Sequence, residues 1–166
     1  LIFLNDTYGV SLKDTLASAF VALGGEVVTE LPYLQGETEM LSQRVPTFLQ
    51  TAMEGVCLIG YPQEAPGIFN AWISSALQPQ VKWFFSDGLK AAQTVAGVTE
   101  PFRLDQSFGT IPSSLPQEAS ARFEQDYLAS YQEIPVSFAA HTYDAVALAA
   151  LALQYRSQRP EVSFAD

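Results

Sequence analysis

Cysteine is almost absent from this chain of 166 residues, which contains Cys57 alone. A single cysteine excludes an internal disulfide and a cysteine-rich zinc site. Cys57 lies inside the apolar run 55–59, and no charged residue adjoins it that would lower the pKa of its thiol. We therefore expect Cys57 to pack as a small hydrophobic residue.

Basic residues are also scarce, with eight Lys and Arg against eighteen Asp and Glu, for a net charge of −10. The few cations are scattered along the chain, so nucleic acid and anionic membranes are not expected partners. No apolar run approaches the roughly 18 residues of a membrane span. The sequence is 48% hydrophobic, which is enough to form one domain with a sizeable core. Because the chain opens within a strand-like run, we expect it to be a fragment of a longer protein.

Catalytic motifs are missing as well. His141 is the only histidine, and no Gly-x-Ser-x-Gly elbow provides a nucleophile. Neither common glycine-rich nucleotide loop follows the first strand-like run. The acidic pairs at 37 and 39 and at 124 and 126 are typical of solvated faces. The sequence therefore predicts no catalytic residue, no metal site and no cofactor.

The chain does show strand-like and helical segments in alternation. Strands are predicted at 2–4, 26–31, 55–59, 81–85 and 108–111. Helical spacing is found at 12–23, 41–52, 62–76, 89–95, 123–131 and 138–155, and Pro46 makes the second segment either two short helices or one kinked helix. This order predicts an α/β, doubly wound (Rossmann-like) parallel sheet of about five strands with helices on both faces, in one domain spanning 1–166.

Three of the predicted strands run into a polar or aromatic residue beside a turn or helix start: Tyr8, Tyr61 and Asp87. In an open parallel sheet the carboxyl ends of the strands share one edge, where ligands bind. Two phenols and a carboxylate there would suit a ligand with a cationic or polar head. The alternatives are that Tyr8 covers a helix start and that Asp87 forms an Asp-Gly turn or caps a helix, as Asp6 and Thr7 are expected to do.

Seven segments, in order across nearly the whole chain, resemble the second lobe of a type I periplasmic solute-binding protein of the branched-chain amino acid (leucine/isoleucine/valine) binding family. The segments are 5–9, 23–28, 58–62, 85–89, 108–112, 123–127 and 142–146. In that family two lobes close on an amino acid, and the second lobe supplies aromatic residues and an acidic residue for the α-amino group. The matching positions here are Tyr8, Tyr61 and Asp87, with Asp87 where the family often has Glu.

The resemblance implies a non-enzymatic receptor lobe that supplies half of an amino acid binding cleft for an ABC-type importer. The implied partners are a small polar solute (an amino acid or amide), the first lobe of the same protein and the importer's membrane subunits. The implied location is periplasmic or extracellular, with a lipid anchor left open. The alternative is the ligand-sensing lobe of a signalling receptor, or an amide or urea sensor. Since half a cleft cannot exclude water, we expect the chain alone to bind free amino acids very weakly.

Overall fold

The computed structural model describes residues 1–112, 118–136 and 138–159. It contains two compact units, Leu1–Pro112 and Ser113–Asp166, which are described separately below. The assignment of 1–166 to one ligand-binding lobe stays a prediction.

The first unit is built on a five-stranded, wholly parallel sheet in the order β2-β1-β3-β4-β5, as the sequence predicted. Three α-helices, α1, α2 and α3, follow the first three strands, and short 3-10 turns follow β4. The strands are β1 Ile2–Leu4, β2 Leu31–Tyr33, β3 Gly55–Ile59, β4 Lys82–Phe85 and β5 Phe108–Gly109. The helices are α1 Thr7–Ala22, α2 Thr38–Phe48 and α3 Ala65–Ser75.

The second strand was placed wrongly by the sequence, at 26–31 instead of Leu31–Tyr33. The pair Val27-Val28 suggested a strand centre, but Val28 is 46% exposed and lies before the sheet. The strand begins later because Leu31 pairs with Ile2 and Tyr33 with Leu4. Pro32 is tolerated at its centre because β2 is an edge strand, where one side of the backbone needs no ladder hydrogen bond.

Other segments also differ from their predicted bounds, and one alternative left open by the sequence is decided. Residues 89–95 do not form one short helix, because the segment after β4 contains the separate 3-10 turns Asp87–Leu89 and Ala92–Thr94. Helix α3 begins at Ala65 and not at Pro62, which leaves Pro66 in the first turn, where no intrahelical donor is lost. Pro46 lies within the single helix α2, which decides between the two alternatives left open.

The main core of this unit lies on one face of the sheet. Alternate strand residues such as Ile2, Leu4 and Trp83 belong to it, together with the inner faces of α2 and α3. Phe3, between two of these positions, has the Lys13 ammonium of α1 5.3 Å from its ring centre. Helix α1 therefore lies on the opposite face, so that helices flank both sides of the sheet.

The described residues of the second unit form two helices, α4 Glu118–Tyr131 and α5 Ala139–Gln158. The rings of Phe123, Tyr127 and Tyr131 contact one another in succession along α4, as their spacing predicted. Phe123 also contacts Tyr143 of α5, with ring centres 5.5 Å apart. The serines at 113 and 114, which precede this helix in the sequence, lie outside the described residues. None of the helices described here is long and apolar enough to span a bilayer.

Candidate functional site

The strand order reverses its direction of winding between β1 and β3. From β1 the chain first adds β2 on one side and then returns to add β3 on the other. Ligands of open α/β sheets bind at such a reversal. Tyr8 follows β1 and Tyr61 follows β3, while Asp87 follows the neighbouring β4. The structure thus brings all three predicted site residues to one edge of the sheet.

Tyr8 and Asp87 are joined directly, although 79 positions separate them. The Tyr8 hydroxyl donates a hydrogen bond of 2.6 Å to Oδ1 of Asp87. Burial, followed by this bond to Asp87, raises the pKa of Tyr8 to about 12, against the opposing effects of Ser86 and the Gly88 backbone. At neutral pH Tyr8 is therefore a neutral phenol that donates to the Asp87 carboxylate.

Tyr61 contacts Tyr8 through its ring. The Tyr8 and Tyr61 rings are stacked, with centres 5.4 Å apart and planes inclined by 20°. Tyr61 is 37% exposed, and Tyr8 and Asp87 are half-buried, so all three present surface to solvent. The Tyr8–Tyr61–Asp87 cluster therefore offers an aromatic surface beside a carboxylate, which suits the ammonium head and apolar body of a small solute.

The loops that carry Tyr61 and Asp87 are packed tightly against each other. Ser86 is buried; its Oγ accepts a hydrogen bond of 3.3 Å from the Gly60 amide, and its own amide donates to the Leu58 carbonyl at 3.1 Å. A side chain at Gly88 would place its Cβ 2.5 Å from the Gly60 carbonyl oxygen. Glycine at position 88 is what lets the end of β4 approach the end of β3.

The helix cap predicted for Asp6 and the turn predicted for Asp87 are both found in the structure. Asp6 caps α1 as predicted, with its side chain accepting a 2.7 Å hydrogen bond from the Gly9 amide, and Thr7 is the first residue of that helix. The backbone of Asp87 begins a 3-10 turn, but its side chain caps nothing and accepts from Tyr8. Asp87 therefore combines the turn with a side chain that faces the cluster.

Sequence reasoning missed two buried polar residues close in sequence or space to the loop that carries Tyr61: Tyr33 and Glu64, each 1% exposed. Tyr33 ends β2 and obeys the same strand-end rule as the other tyrosines, so a correct placement of β2 would have found it. Glu64 directly precedes α3, and its Oε1 accepts a 2.9 Å hydrogen bond from the Gly36 amide. Its Oε2 is buried without a hydrogen-bond partner among the described residues. Nothing in the sequence distinguishes Glu64 from an ordinary acidic residue near a helix start.

This edge presents two phenols and a carboxylate to solvent. The described residues include no group of three or more His, Cys, Asp and Glu side chains placed to hold a metal ion. Burial raises the pKa of the Cys57 thiol to about 11, which leaves it protonated and unreactive at neutral pH. The Tyr8–Tyr61–Asp87 cluster can hold a positively charged group by charge and a flat or apolar group by contact.

Comparison with known sequences gives no relative: no protein-family model matches this chain, and no curated protein matches it. Comparison with solved structures finds proteins with a similar fold. A Rhodospirillum rubrum protein assigned to branched-chain amino acid ABC transport aligns over 88% of this chain and 41% of its own, with a TM-score of 0.69 and 20% identity. The LivJ substrate-binding protein of Streptococcus pneumoniae, in complex with isoleucine, aligns over 91% of this chain and 43% of its own, with a TM-score of 0.68 and 19% identity.

A type 1 periplasmic binding protein from Bordetella pertussis aligns over 78% of this chain and 34% of its own, with a TM-score of 0.66 and 24% identity. The chain thus spans about two fifths or less of the length of the solved structures that it matches. The resemblance read from the seven sequence segments is confirmed at the level of the fold: this chain has the α/β fold of one part of a type I periplasmic binding protein.

Proposed function

We propose that this chain is a ligand-binding lobe of a solute-binding receptor and contributes half of a cleft for an amino acid or a similar small polar solute. The observation that carries the proposal is the Tyr8–Tyr61–Asp87 cluster, which lies where the winding of the sheet reverses. The likeness in fold to an isoleucine-bound protein supports the same assignment.

In this role Asp87 pairs with the ammonium group of the solute. One carboxylate oxygen already accepts from Tyr8, but a carboxylate has about four lone-pair sites, so further acceptor capacity remains. The tyrosine rings cover the apolar part of the solute and hold it beside Asp87. A second lobe closes over the solute and excludes water, in the hinge motion typical of such receptors.

The proposed partners are that second lobe and the membrane subunits of an ABC-type importer, which places the receptor in the periplasm or outside the cell. Its action is binding and release, and it needs neither a nucleophile nor a cofactor. The fold likeness to proteins of branched-chain amino acid ABC transport supports this assignment.

The test is a thermal-shift screen of the full-length gene product against the standard amino acids, followed by calorimetry on those that bind. A ligand at a hundredfold excess over its dissociation constant stabilises the folded state by about 2.7 kcal/mol, which is readily detected. The N-acetylated form of each binding amino acid serves as the matched control, because it lacks the ammonium group. We expect at least one amino acid to bind and its N-acetyl form to fail. Absence of any shift across the screen, or equal binding of the acetylated form, would contradict the proposal.

A further inference from the structure

The buried phenol of Tyr33 reaches the loop that carries Tyr61. Tyr33 ends β2, which is separated from β3 by β1, and its side chain is 1% exposed. A Cβ at position 60 would overlap the Tyr33 hydroxyl oxygen. The hydroxyl therefore occupies the space that a side chain would need at the end of β3, and it lies directly against the backbone one residue before Tyr61.

The electrostatic surroundings agree with this placement. Burial raises the pKa of Tyr33 above its usual range, and the charge of Glu64 raises it further. The Tyr61 backbone acts in the opposite direction and lowers the pKa of Tyr33. The Tyr33 hydroxyl is thus a neutral, buried group next to the Tyr61 main chain.

Glu64 links the loop after Tyr33 to the start of α3. It lies three residues after Tyr61, where its carbonyl accepts from the Ile68 amide at the start of α3. Its buried side chain holds the Gly36 amide in the loop that follows Tyr33. The chain segments on either side of the Tyr33 hydroxyl are therefore anchored, and the hydroxyl has little freedom to move away from position 60.

We propose that Tyr33 is a positioning residue for ligand binding, whose buried hydroxyl fixes the backbone at Gly60 and Tyr61 and so holds the Tyr61 ring against Tyr8. Tyr33 is too deeply buried to touch a ligand itself. Rigid support beneath the contacting side chains is what keeps a binding site in its productive geometry. The inference rests on the proposed function, since it assigns a role in that same site.

The variants Tyr33→Phe, Gly60→Ala and the combination of both, made in the full-length gene product, test this. Tyr33→Phe removes the hydroxyl, and loss of such a buried hydrogen-bonding group should weaken binding about five- to tenfold. Gly60→Ala alone forces a methyl group onto the hydroxyl and should weaken binding more. Gly60 is not among the glycines with positive φ, so alanine is compatible with its backbone.

The double variant gives the sharpest expectation. Without the Tyr33 hydroxyl, the nearest atom to a Cβ at position 60 is the ring Cζ at 3.1 Å, a tight contact that a small shift relieves. The new methyl group would then fill the space left by the hydroxyl. We expect the double variant to bind more tightly than Gly60→Ala alone, with affinity recovered to that of Tyr33→Phe or better.

Two readouts separate positioning from general destabilisation. Calorimetry measures the affinity for the amino acid that gives the largest thermal shift, with L-isoleucine as the first probe. Fluorine NMR of protein labelled with 3-fluorotyrosine reports the surroundings of the Tyr61 ring, whose resonance is assigned by its loss in Tyr61→Phe. Ile68→Val is the control, since Ile68 is fully buried in the same core and its truncation should lower stability without moving this resonance.

The inference is supported if Tyr33→Phe weakens binding and moves the Tyr61 resonance while Ile68→Val does neither. It is overturned if Tyr33→Phe leaves both affinity and resonance unchanged while Asp87→Asn weakens binding, a result that leaves the proposed function standing. If no amino acid binds the unaltered protein, the proposed function and this inference fail together.

Discussion

Replacing Asp87 by Asn separates a role in ligand binding from a role in stability. The substitution preserves the size of the side chain and keeps an oxygen that can accept from the Tyr8 hydroxyl, now 2.6 Å from Oδ1. It removes the negative charge and replaces the other carboxylate oxygen with an NH2 group, which cannot accept from an ammonium group. If the charge exists to bind a solute, affinity should fall far more than the free energy of unfolding.

The structure sets the expected magnitudes. A hydrogen bond to a charged group contributes about 1.5–3 kcal/mol when it is buried, but Tyr8 and Asp87 are half-buried and Asn retains a weaker bond. We therefore expect Asp87→Asn to lower the free energy of unfolding by less than about 1 kcal/mol. Loss of one partner from a desolvated ion pair costs about 2–5 kcal/mol of affinity, so we expect about 3 kcal/mol, or roughly a hundredfold, for this half-buried carboxylate.

The assays are urea denaturation and calorimetric titration with the amino acid that binds best, both on the full-length gene product. Tyr8→Phe is the matched companion, because it keeps the ring beside Tyr61 and removes only the hydroxyl donor to Asp87. It should weaken binding about five- to tenfold, and its effect should be smaller in the Asp87→Asn background. Unchanged affinity in Asp87→Asn, or a loss of stability as large as the loss of affinity, would refute the assigned role of this carboxylate.

Three further predictions concern this chain. Because the pKa of Tyr8 is about 12 when folded against 10.0 when unfolded, the contribution of Tyr8 to the free energy of unfolding is fully present below pH 10 and should fall by about 1 kcal/mol as the pH rises towards 12. Urea denaturation across that range should show a smaller fall in Tyr8→Phe. The half-buried Cys57 thiol, with a pKa of about 11, should react with a disulfide reagent much more slowly in the folded than in the urea-unfolded protein at pH 8, and equal rates would contradict this raised pKa. Gly88→Ala should lower the free energy of unfolding by about 1–3 kcal/mol, since the Gly60 carbonyl must move, and an unchanged denaturation midpoint would contradict that contact.

The elements that the sequence located correctly are those whose own composition decides their conformation. Strand β3 is a short, continuous apolar run, and the structure places it at Gly55–Ile59 as predicted, with Val56 and Leu58 fully buried and Cys57 half-buried. Helix α1 begins where Asp6 supplies a cap. The order of such elements was enough to predict a parallel sheet.

The elements that were misplaced depend on partners distant in the chain. Strand β2 could not be located from Val27 and Val28, because its position is set by pairing with β1 and its proline is acceptable only at the edge of the sheet. Because β2 was misplaced, Tyr33 was not recognised as the last residue of a strand.

The candidate site shows the same division. Strand-like runs and turn residues are local signals, so the sequence was enough to show that Tyr8, Tyr61 and Asp87 follow strand ends. The contacts of these residues came from the folded chain: Tyr8 donates to Asp87 and stacks on Tyr61, while Tyr33, Glu64 and Ser86 are buried. A parallel sheet brings the ends of strands from distant parts of the chain to one edge, and the contacts made there depend on the order of the strands.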